Sequence, residues 1–229
     1  MQQEDFFIQL TNFSYDRLEL LEIYKSVAHK ARLKGLKWKP TTRLSPTKTP
    51  YSLGTTSVIQ YGDYQMLDLS KADLSCNFLE FDYIRQMVSK LNFDHEILSS
   101  HCDMLIYNFN SSFPAHTDHY AASTMMWPIL PEDSGEPIHF YHRDDFNIIP
   151  GEARSWEFNV TDKDIAYTHH YGTQYPTIFN SHTIHAIPRV HQLRVSFRLR
   201  LNESYKSILN KHKLGTLVVE RPGDSNLHL

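Results

Sequence analysis

The sequence predicts a mainly β fold, a sandwich or a jelly-roll barrel, with helices in its N-terminal part. One observation is that the apolar pattern changes from a helical period to strand alternation after Leu98. Another is that short β-prone segments then follow one another as far as Leu201, separated by turn residues such as Pro150-Gly151. About seven or eight strands at this spacing are typical of these folds. The length of 229 residues favours one domain.

Composition and charge indicate a soluble globular protein of the cytoplasm. Hydrophobic residues make up 41% of the chain, enough for a substantial core, and the formal net charge of −3 argues against a dedicated nucleic-acid binder. The first residues resemble no secretory signal, and no apolar run reaches the roughly 20 residues of a membrane span. Cys76 and Cys102 make no disulfide framework, as expected in a reducing compartment. We therefore expect no membrane partner and no clear nucleic-acid partner.

The N-terminal part is expected to form a helical buttress for the β-rich part. Residues 6–10 predict an edge strand, and a helix capped by Asp16 or Ser14 is expected to end near Leu33. The cations that cluster near the end of this helix favour a solvated surface over a landing site for an anionic substrate. Residues 40–62, rich in Pro, Ser and Thr, predict a long loop that ends in a short strand and can act as a lid.

A second helix is predicted to begin with a capping box at Asn77 and Glu80. Its apolar stripe, expected in the core, consists of Phe81, Ile84, Val88 and Leu91. The predicted strands span residues 104–109, 123–130, 137–142, 154–160, 177–180, 185–190 and 194–201. The chain from 1 to 229 is then a single domain, in which residues 1–100 form the buttress and lid, 102–201 the jelly-roll core, and 202–229 a C-terminal extension.

A candidate metal site consists of His116, Asp118 and His185. His116 and Asp118 lie two residues apart on a predicted strand, so their side chains point to the same side. His185 would join them if the strands at 113–119 and 178–187 face each other. Two imidazoles and one carboxylate on one face of a metal are the ligand set of non-haem Fe(II) oxygenases, which leaves positions open for cosubstrate and oxygen.

A candidate anion site follows this group in the sequence. Arg194 stands nine residues after His185, and Ser196 follows two positions later. An arginine suits bidentate capture of a carboxylate, and the serine hydroxyl can add a hydrogen bond. Arg198 and Arg200 share the strand parity of Arg194 and are alternative anchors, but neither is followed by a serine two positions on.

Other histidines compete with His185, because the chain contains 14 of them. His182 is the main rival, and on an alternating strand it would face away from His185, so at most one of the two should bind. The offset to Arg194 favours His185. The adjacent His169 and His170 would diverge on a strand, and we expect them at the surface.

Further candidates near the site are aromatic or basic. Tyr107 could place a phenol on the same carboxylate as the arginine or on the metal-bound end of the ligand, or it could be a core tyrosine. His139, Tyr141 and Arg143 share one strand face, which points either toward the barrel mouth or outward to solvent. Trp127 is expected in the core.

The combined spacing resembles the Fe(II)/2-oxoglutarate-dependent oxygenase superfamily: Tyr107, His116-x-Asp118, His185 and Arg194-x-Ser196. The segments 177–187 and 193–197 are similar to its distal-histidine strand and its cosubstrate-anchoring strand. The resemblance covers residues 102–201 and implies a double-stranded β-helix with Fe(II) on His116, Asp118 and His185. It also implies 2-oxoglutarate bound through Arg194, Ser196 and Tyr107, and use of O2 with release of succinate and CO2.

This resemblance implies a hydroxylase that acts on a small molecule or an exposed side chain. The alternative keeps the jelly roll and the metal ligands but uses no 2-oxoglutarate, as in a cupin-like enzyme or a metal-binding protein. Arg194-x-Ser196 favours the first interpretation, because a chain without a dicarboxylate cosubstrate has no need of that arginine. The sequence leaves open the substrate, the choice among hydroxylation, desaturation and demethylation, and the oligomeric state.

Overall fold

The computed structural model describes residues 2–33, 64–67, 77–98, 101–107, 112–118, 121–132, 137–142, 148–150, 156–158 and 160–219. The predicted lid at 40–62, with its short strand, lies outside these residues, and so do the cations that follow residue 33. The β-rich region in which the candidate site lies is described over most of its length.

Three α-helices and twelve strands occur in the described part of the chain. The helices are α1 (Arg17–Leu33), α2 (Asp82–Ser89) and α3 (Tyr205–Lys213). The first six strands are β1 (Phe7–Gln9), β2 (Tyr64–Leu67), β3 (Cys102–Tyr107), β4 (Phe113–Thr117), β5 (Ser123–Leu130) and β6 (Pro137–Tyr141). The others are β7 (Ile148–Pro150), β8 (Trp156–Phe158), β9 (Ile165–His170), β10 (Thr177–Asn180), β11 (His185–Ile187) and β12 (Arg194–Leu201).

Within the described residues, the strands form two six-stranded antiparallel sheets. The helix-covered sheet has the order β1-β10-β5-β12-β3-β2, and the second sheet has the order β7-β8-β4-β11-β6-β9. From β3 to β6, and again from β9 to β12, each strand lies in the sheet opposite to that of the strand before it. This alternation is the jelly-roll arrangement of a double-stranded β-helix, so the predicted fold class is confirmed.

Alternate residues of the helix-covered sheet face the helices or the second sheet. Phe197 of β12 and Trp127 of β5 lie in an apolar cluster with Leu20 of α1, so Trp127 is a core residue as predicted. The neighbours of Phe197 on β12 therefore point toward the second sheet. A separate cluster, which includes Leu105 of β3 and Phe140 of β6, fills the space between the two sheets. The candidate site borders this interior.

Several predicted elements have the bounds that the sequence indicated. The strands β5, β10 and β12 begin and end at the predicted residues, and β1 lies at an edge of its sheet as expected. Asp16 rather than Ser14 caps α1, because its Oδ1 accepts hydrogen bonds from the backbone N–H groups of Leu18 and Glu19. Long strands with clear alternation and a helix with a strong cap are therefore visible in the sequence.

The prediction that Asn77 and Glu80 form the start of the second helix is wrong. The side chain of Asn77 accepts a hydrogen bond from the N–H of Leu79, and it caps only a single 3-10 turn. Phe81 then has an extended backbone, with φ −77° and ψ 117°, so α2 begins at Asp82. The cap and the helix are separate because one extended residue stands between them.

The sequence predicts two strands here, at 177–180 and 185–190, but the predicted metal site uses 178–187 as one strand, and that single strand is wrong. A turn interrupts it at residues 181–183, where the side chain of Asn180 accepts a hydrogen bond from the backbone N–H of His182. Because of this turn, β10 belongs to the helix-covered sheet and β11 to the second sheet. The turn carries the chain across the barrel and delivers His185 to the second sheet.

Three strands and one α-helix are absent from the sequence-based prediction: β2, β7, β9 and α3. The last of these has a readable start, because the hydroxyl of Ser204 accepts from the N–H of Ser207 and caps the helix. It occupies part of the predicted C-terminal extension and packs Ile208 into the apolar cluster that contains Phe197 and Trp127. The single-domain organisation stays a prediction.

Candidate metal centre

The three predicted metal ligands lie together in the second sheet. His116 of β4 and His185 of β11 are directly paired in antiparallel register. Asp118 follows β4, and its backbone N–H donates to the carbonyl of Ser181 at 2.9 Å, which ties the end of β4 to the turn before β11. All three ligand side chains are buried. Strand pairing therefore explains how residues far apart in the sequence meet.

The ligand atoms of this group are close enough to share one metal ion. Nε2 of His116 lies 3.7 Å from Oδ1 of Asp118, and Nε2 of His185 lies 3.9 Å from Oδ2 of the same carboxylate. The three ligand atoms all lie within 4.8 Å of one another, and the centroids of the two imidazole rings are 4.2 Å apart. The group has the composition of a facial two-histidine, one-carboxylate site.

A backbone contact fixes the orientation of the His185 ring. Its Nδ1 lies 2.8 Å from the carbonyl oxygen of Thr183, and since a carbonyl can only accept, Nδ1 is the protonated nitrogen. Nε2 of the neutral ring is then left with a lone pair directed toward Asp118. Such an outer hydrogen bond is what normally orients a metal-binding imidazole.

The electrostatic surroundings favour the charge states that a cation requires. Burial by itself would raise the pKa of Asp118, but His116 and His185, followed by Arg198 and Arg200, lower that pKa below its usual value. Burial lowers the pKa of His185. At neutral pH the carboxyl group is therefore ionised and this imidazole is neutral, and both are able to donate electron pairs to a metal.

The rival ligand His182 does not join this group. It lies in the turn between β10 and β11, and its side chain is exposed. The reason differs from the expected one, since His182 and His185 do not lie on one alternating strand. The group of candidate metal ligands thus includes His185 and not His182.

Arg194 lies on the face of β12 that is turned toward the second sheet. It pairs in register with Tyr107 of β3 and is 2% exposed. Its Nη1 is buried and has no hydrogen-bond partner among the described residues. Ser196 is buried on the same face of the strand. The two predicted cosubstrate contacts on β12 therefore share one side of the barrel interior.

Two tyrosines flank the Arg194 guanidinium. Its Cζ lies 4.7 Å from the ring centroid of Tyr171 and 5.6 Å from that of Tyr107. Tyr107 is thus beside the arginine, as predicted, but Tyr171 is closer. The prediction that His169 lies at the surface is wrong: it is buried, and its ring centroid is 4.6 Å from that of Tyr171. His170, the next residue, is exposed as predicted.

The alternative anchors Arg198 and Arg200 are engaged elsewhere. Nε and Nη2 of Arg198 donate to the two carboxylate oxygens of Asp103 at 2.8 and 2.7 Å. Nη2 of Arg200 lies 3.2 Å from the same carboxylate. Asp103 is fully buried, so these arginines neutralise an internal charge. The geometry favours Arg194 as the residue that meets a ligand.

The face of β6 that contains His139 and Tyr141 does not point into the barrel. Ile138 and Phe140 lie in the cluster between the sheets, so the alternate residues face the outer side of the second sheet. The mouth-facing alternative is therefore wrong for both residues. Tyr141 is nevertheless buried there, in a small apolar cluster. Arg143 lies outside the described residues.

Sequence reasoning missed three residues of this interior: Asp103, His169 and Tyr171. Asp103 immediately precedes the predicted strand at 104–109 and shares the parity of Tyr107, so an acid facing the arginines of the neighbouring strand is a readable signal. His169 lies on β9 and Tyr171 follows that strand directly, but the sequence does not predict β9. Their position depends on long-range packing.

No helix within the described residues is long and apolar enough to cross a membrane. No protein-family model matches the chain, and no curated protein gives a significant sequence match.

Three solved structures to which this chain is similar are the following. AviO1 from Streptomyces viridochromogenes Tue57 is 10% identical, with a TM-score of 0.49 over 87% of this chain and 91% of that chain. A prolyl-4-hydroxylase from Pseudomonas putida is 12% identical, with a TM-score of 0.42 over 86% and 93%. An oxidoreductase of the 2OG-Fe(II) oxygenase family from Burkholderia pseudomallei is 15% identical, with a TM-score of 0.29 over 57% and 58%.

Strand order and register within this chain, rather than these overall scores, define its fold. The alternation of strands between two sheets is that of a double-stranded β-helix, and the paired strands β4 and β11 bring the His-Asp-His side chains together. The protein thus has a double-stranded β-helix fold with a group of three side chains that could bind a metal ion.

Proposed function

We propose that the protein is an Fe(II)- and 2-oxoglutarate-dependent oxygenase that oxidises a C–H bond of a small molecule or an exposed side chain. The reaction uses O2 and releases succinate and CO2, and hydroxylation is the proposed outcome. The observation that carries the proposal is the convergence of His116, Asp118 and His185 from two paired strands. Cytoplasmic location and the lack of a nucleic-acid or membrane partner belong to the same proposal.

The donor set fits Fe(II). One ionised carboxylate and imidazole nitrogens approach from one side, and a set of three protein ligands leaves positions for exogenous ligands. Apolar rings limit the movement of the imidazoles: the ring of Phe113 lies 4.3 Å from that of His116, and the ring of Phe179 lies 5.1 Å from that of His185. These contacts hold the ligands in place before a metal arrives.

The surroundings of Arg194 fit a dicarboxylate. A buried guanidinium nitrogen without an acceptor is unfavourable, and a carboxylate relieves this by accepting a charge-assisted hydrogen bond. In this proposal Arg194 and Ser196 hold the far carboxylate of 2-oxoglutarate, with Tyr107 beside them. The 2-oxo acid end would then reach the metal ligands on the second sheet.

The residues of the chain orient and protect the reactants. Thr183 fixes the tautomer of His185 through its carbonyl, and Asp118 stays ionised because of its cationic neighbours. When bound, the metal and the 2-oxo acid supply the activation of O2. The buried interior around Phe140 and Ile187 keeps bulk water away from that chemistry.

The alternative function is a cupin-like metal enzyme, or a metal-binding protein, that does not use 2-oxoglutarate. It requires the same three ligands but gives no role to the buried Nη1 of Arg194. That donor has no partner in the part of the chain that the structure describes, which favours the 2-oxoglutarate-dependent function.

Anaerobic titration tests the proposal. Fe(II) is added to the metal-free protein and 2-oxoglutarate follows, while the visible absorption of the metal chelate is recorded. We expect a band that requires both additions. The band should be lost in His185→Ala and kept in His182→Ala, a matched control on the exposed turn.

Two other outcomes would contradict the proposal in different ways. Iron binding without a 2-oxoglutarate-dependent band would support the cupin-like alternative. Loss of iron binding in His182→Ala, with binding intact in His185→Ala, would overturn the ligand assignment.

A further inference from the structure

The interior beside Arg194 contains two buried donors that have no hydrogen-bond partner in the described part of the chain. One is Nη1 of Arg194, and the other is the hydroxyl of Tyr171, the residue that follows β9. The two residues are 2% and 4% exposed. Buried polar groups are nearly always hydrogen-bonded in folded proteins, so two such donors in one place indicate a ligand that accepts. An anion can accept from both.

The Tyr171 ring contacts the guanidinium more closely than the Tyr107 ring does. The distances from Cζ of Arg194 to the two ring centroids are 4.7 and 5.6 Å. A guanidinium above an aromatic face is attracted by the ring, and its N–H groups point along its own plane, away from that ring. Tyr171 thus contacts a guanidinium whose Nη1 has no partner within the described residues.

Neighbouring side chains hold the Tyr171 ring in turn. The ring of His169 meets it edge to face, with centroids 4.6 Å apart and an interplanar angle of 72°. Nε2 of His169 lies 3.1 Å from the hydroxyl oxygen of Thr177, and its ring centroid is 4.0 Å from that of Phe7. Tyr171 is therefore positioned by a chain of contacts from two other strands, which is typical of a preorganised binding residue.

The Tyr171 hydroxyl remains a donor at physiological pH. Burial raises the pKa of this phenol, and the opposing effect of the Arg194 charge is smaller. The phenol is therefore neutral and protonated, and its hydrogen is available to a carboxylate.

We propose that Tyr171 is a second binding residue for the far carboxylate of the 2-oxo acid, to which its hydroxyl and Nη1 of Arg194 both donate. The inference rests on the proposed function, because it adds a contact to the cosubstrate of that reaction. A phenol that donates to an anion makes a stronger hydrogen bond than one that donates to a neutral group. Tyr171 consequently selects 2-oxo acids with an anionic tail.

Equilibrium binding without turnover tests this proposal. The full chain is loaded with Mn(II), which accepts the same ligand types, and titrated calorimetrically with 2-oxoglutarate and with 2-oxopentanoate. The second compound has the same chain length but a methyl group in place of the far carboxylate. We expect Tyr171→Phe to weaken 2-oxoglutarate binding about tenfold to a hundredfold, as for loss of a hydrogen bond to a charged group. Binding of 2-oxopentanoate and of Mn(II) should not change.

Tyr167→Phe is the matched control, because Tyr167 lies on β9 and its hydroxyl donates to the side chain of Gln3 at 3.0 Å. It should bind both compounds as the wild type does. An unchanged 2-oxoglutarate affinity in Tyr171→Phe would overturn the proposal and indicate that a water molecule satisfies the hydroxyl. Equal weakening of both compounds would also overturn it, since the role would then be structural. A wild-type protein that binds Mn(II) but not 2-oxoglutarate would instead overturn the proposed function, and this inference with it.

Discussion

Arg194 and Arg198 lie on the same strand, four residues apart and on the same face, yet their surroundings are opposite. Arg198 makes two hydrogen bonds to the carboxylate of Asp103, which is fully buried. Arg194 lies against the rings of Tyr107 and Tyr171, and its Nη1 has no partner within the described residues. Within the described part of the chain, one cation is neutralised by a carboxylate and the other is not.

Under the proposed function, this difference separates a structural arginine, Arg198, from a ligand-binding one, Arg194. A buried ion pair contributes little net stability when it is complete, but removing one partner leaves an uncompensated charge and costs several kcal/mol. A buried cation without an acceptor has already incurred that cost in the folded protein. In the proposed function an anion binds there and compensates this cost, so we expect that such a residue can be replaced without a loss of stability.

The largest effect is expected from Arg198→Leu, which breaks the complete pair. Among the described residues, the buried Asp103 would keep a single cationic partner, Arg200 at 3.2 Å. We expect the free energy of unfolding, measured by urea denaturation, to fall by about 3–5 kcal/mol. The control is Lys25→Leu, which removes an exposed pair with Glu22 and should change the stability by less than about 1 kcal/mol. A similarly small loss in Arg198→Leu would mean that Arg200 suffices for Asp103.

A somewhat smaller effect concerns the pH dependence of His169, which lies beside the unpaired arginine. Burial, then the charge of Arg194 and His170, lower the pKa of His169 from 6.5 to about 4. Between these pH values the unfolded chain binds the proton and the folded protein does not, so stability is complete above pH 6.5 and falls as the pH decreases toward 4. The loss from this group should be about 3 kcal/mol.

Denaturation of His169→Gln at several pH values checks this expectation. The variant keeps a polar group near Thr177 but cannot take up the proton. The wild type should therefore lose more unfolding free energy than the variant as the pH decreases from 6.5 to 4. A difference that stays constant over this range would show that His169 does not titrate there.

The ligand group was accessible from the sequence because its signals are local. His116 and Asp118 are separated by one residue on a strand, and Arg194 and Ser196 repeat that spacing. The strand β12 shows clear alternation, and its predicted bounds agree with the observed ones. Choosing His185 over His182 required only the offset to Arg194, although the structural reason is a turn rather than strand parity.

The surroundings of Arg194 could not be predicted in this way. The sequence of β9 contains no clear apolar alternation, and only pairing with β6 identifies it as a strand. His169 is buried because Phe7, from the start of the chain, covers its ring. Tyr171 owes its position to the same long-range packing. Residues that complete a site from distant strands leave little trace in the local sequence.

The smallest change in stability is expected from Arg194→Leu, the counterpart of Arg198→Leu on the same strand. A leucine replaces a desolvated cation whose Nη1 has no acceptor among the described residues, so the free energy of unfolding without ligands should stay within about 1 kcal/mol of the wild-type value or rise. The variant should still bind Fe(II), because the metal ligands lie on other strands. Its requirement for 2-oxoglutarate should increase strongly, since the far carboxylate loses its charged partner.

Urea denaturation with and without 2-oxoglutarate, both in the presence of Mn(II), separates these two effects. At a concentration of about 100 times its dissociation constant, a ligand stabilises the wild type by about 2.7 kcal/mol, and Arg194→Leu should show little of this gain at the same concentration. The contradicting result is a loss of ligand-free stability as large as that of Arg198→Leu. Arg194 would then be a structural residue as well, and the contrast between a neutralised and a ligand-directed arginine on β12 would not hold.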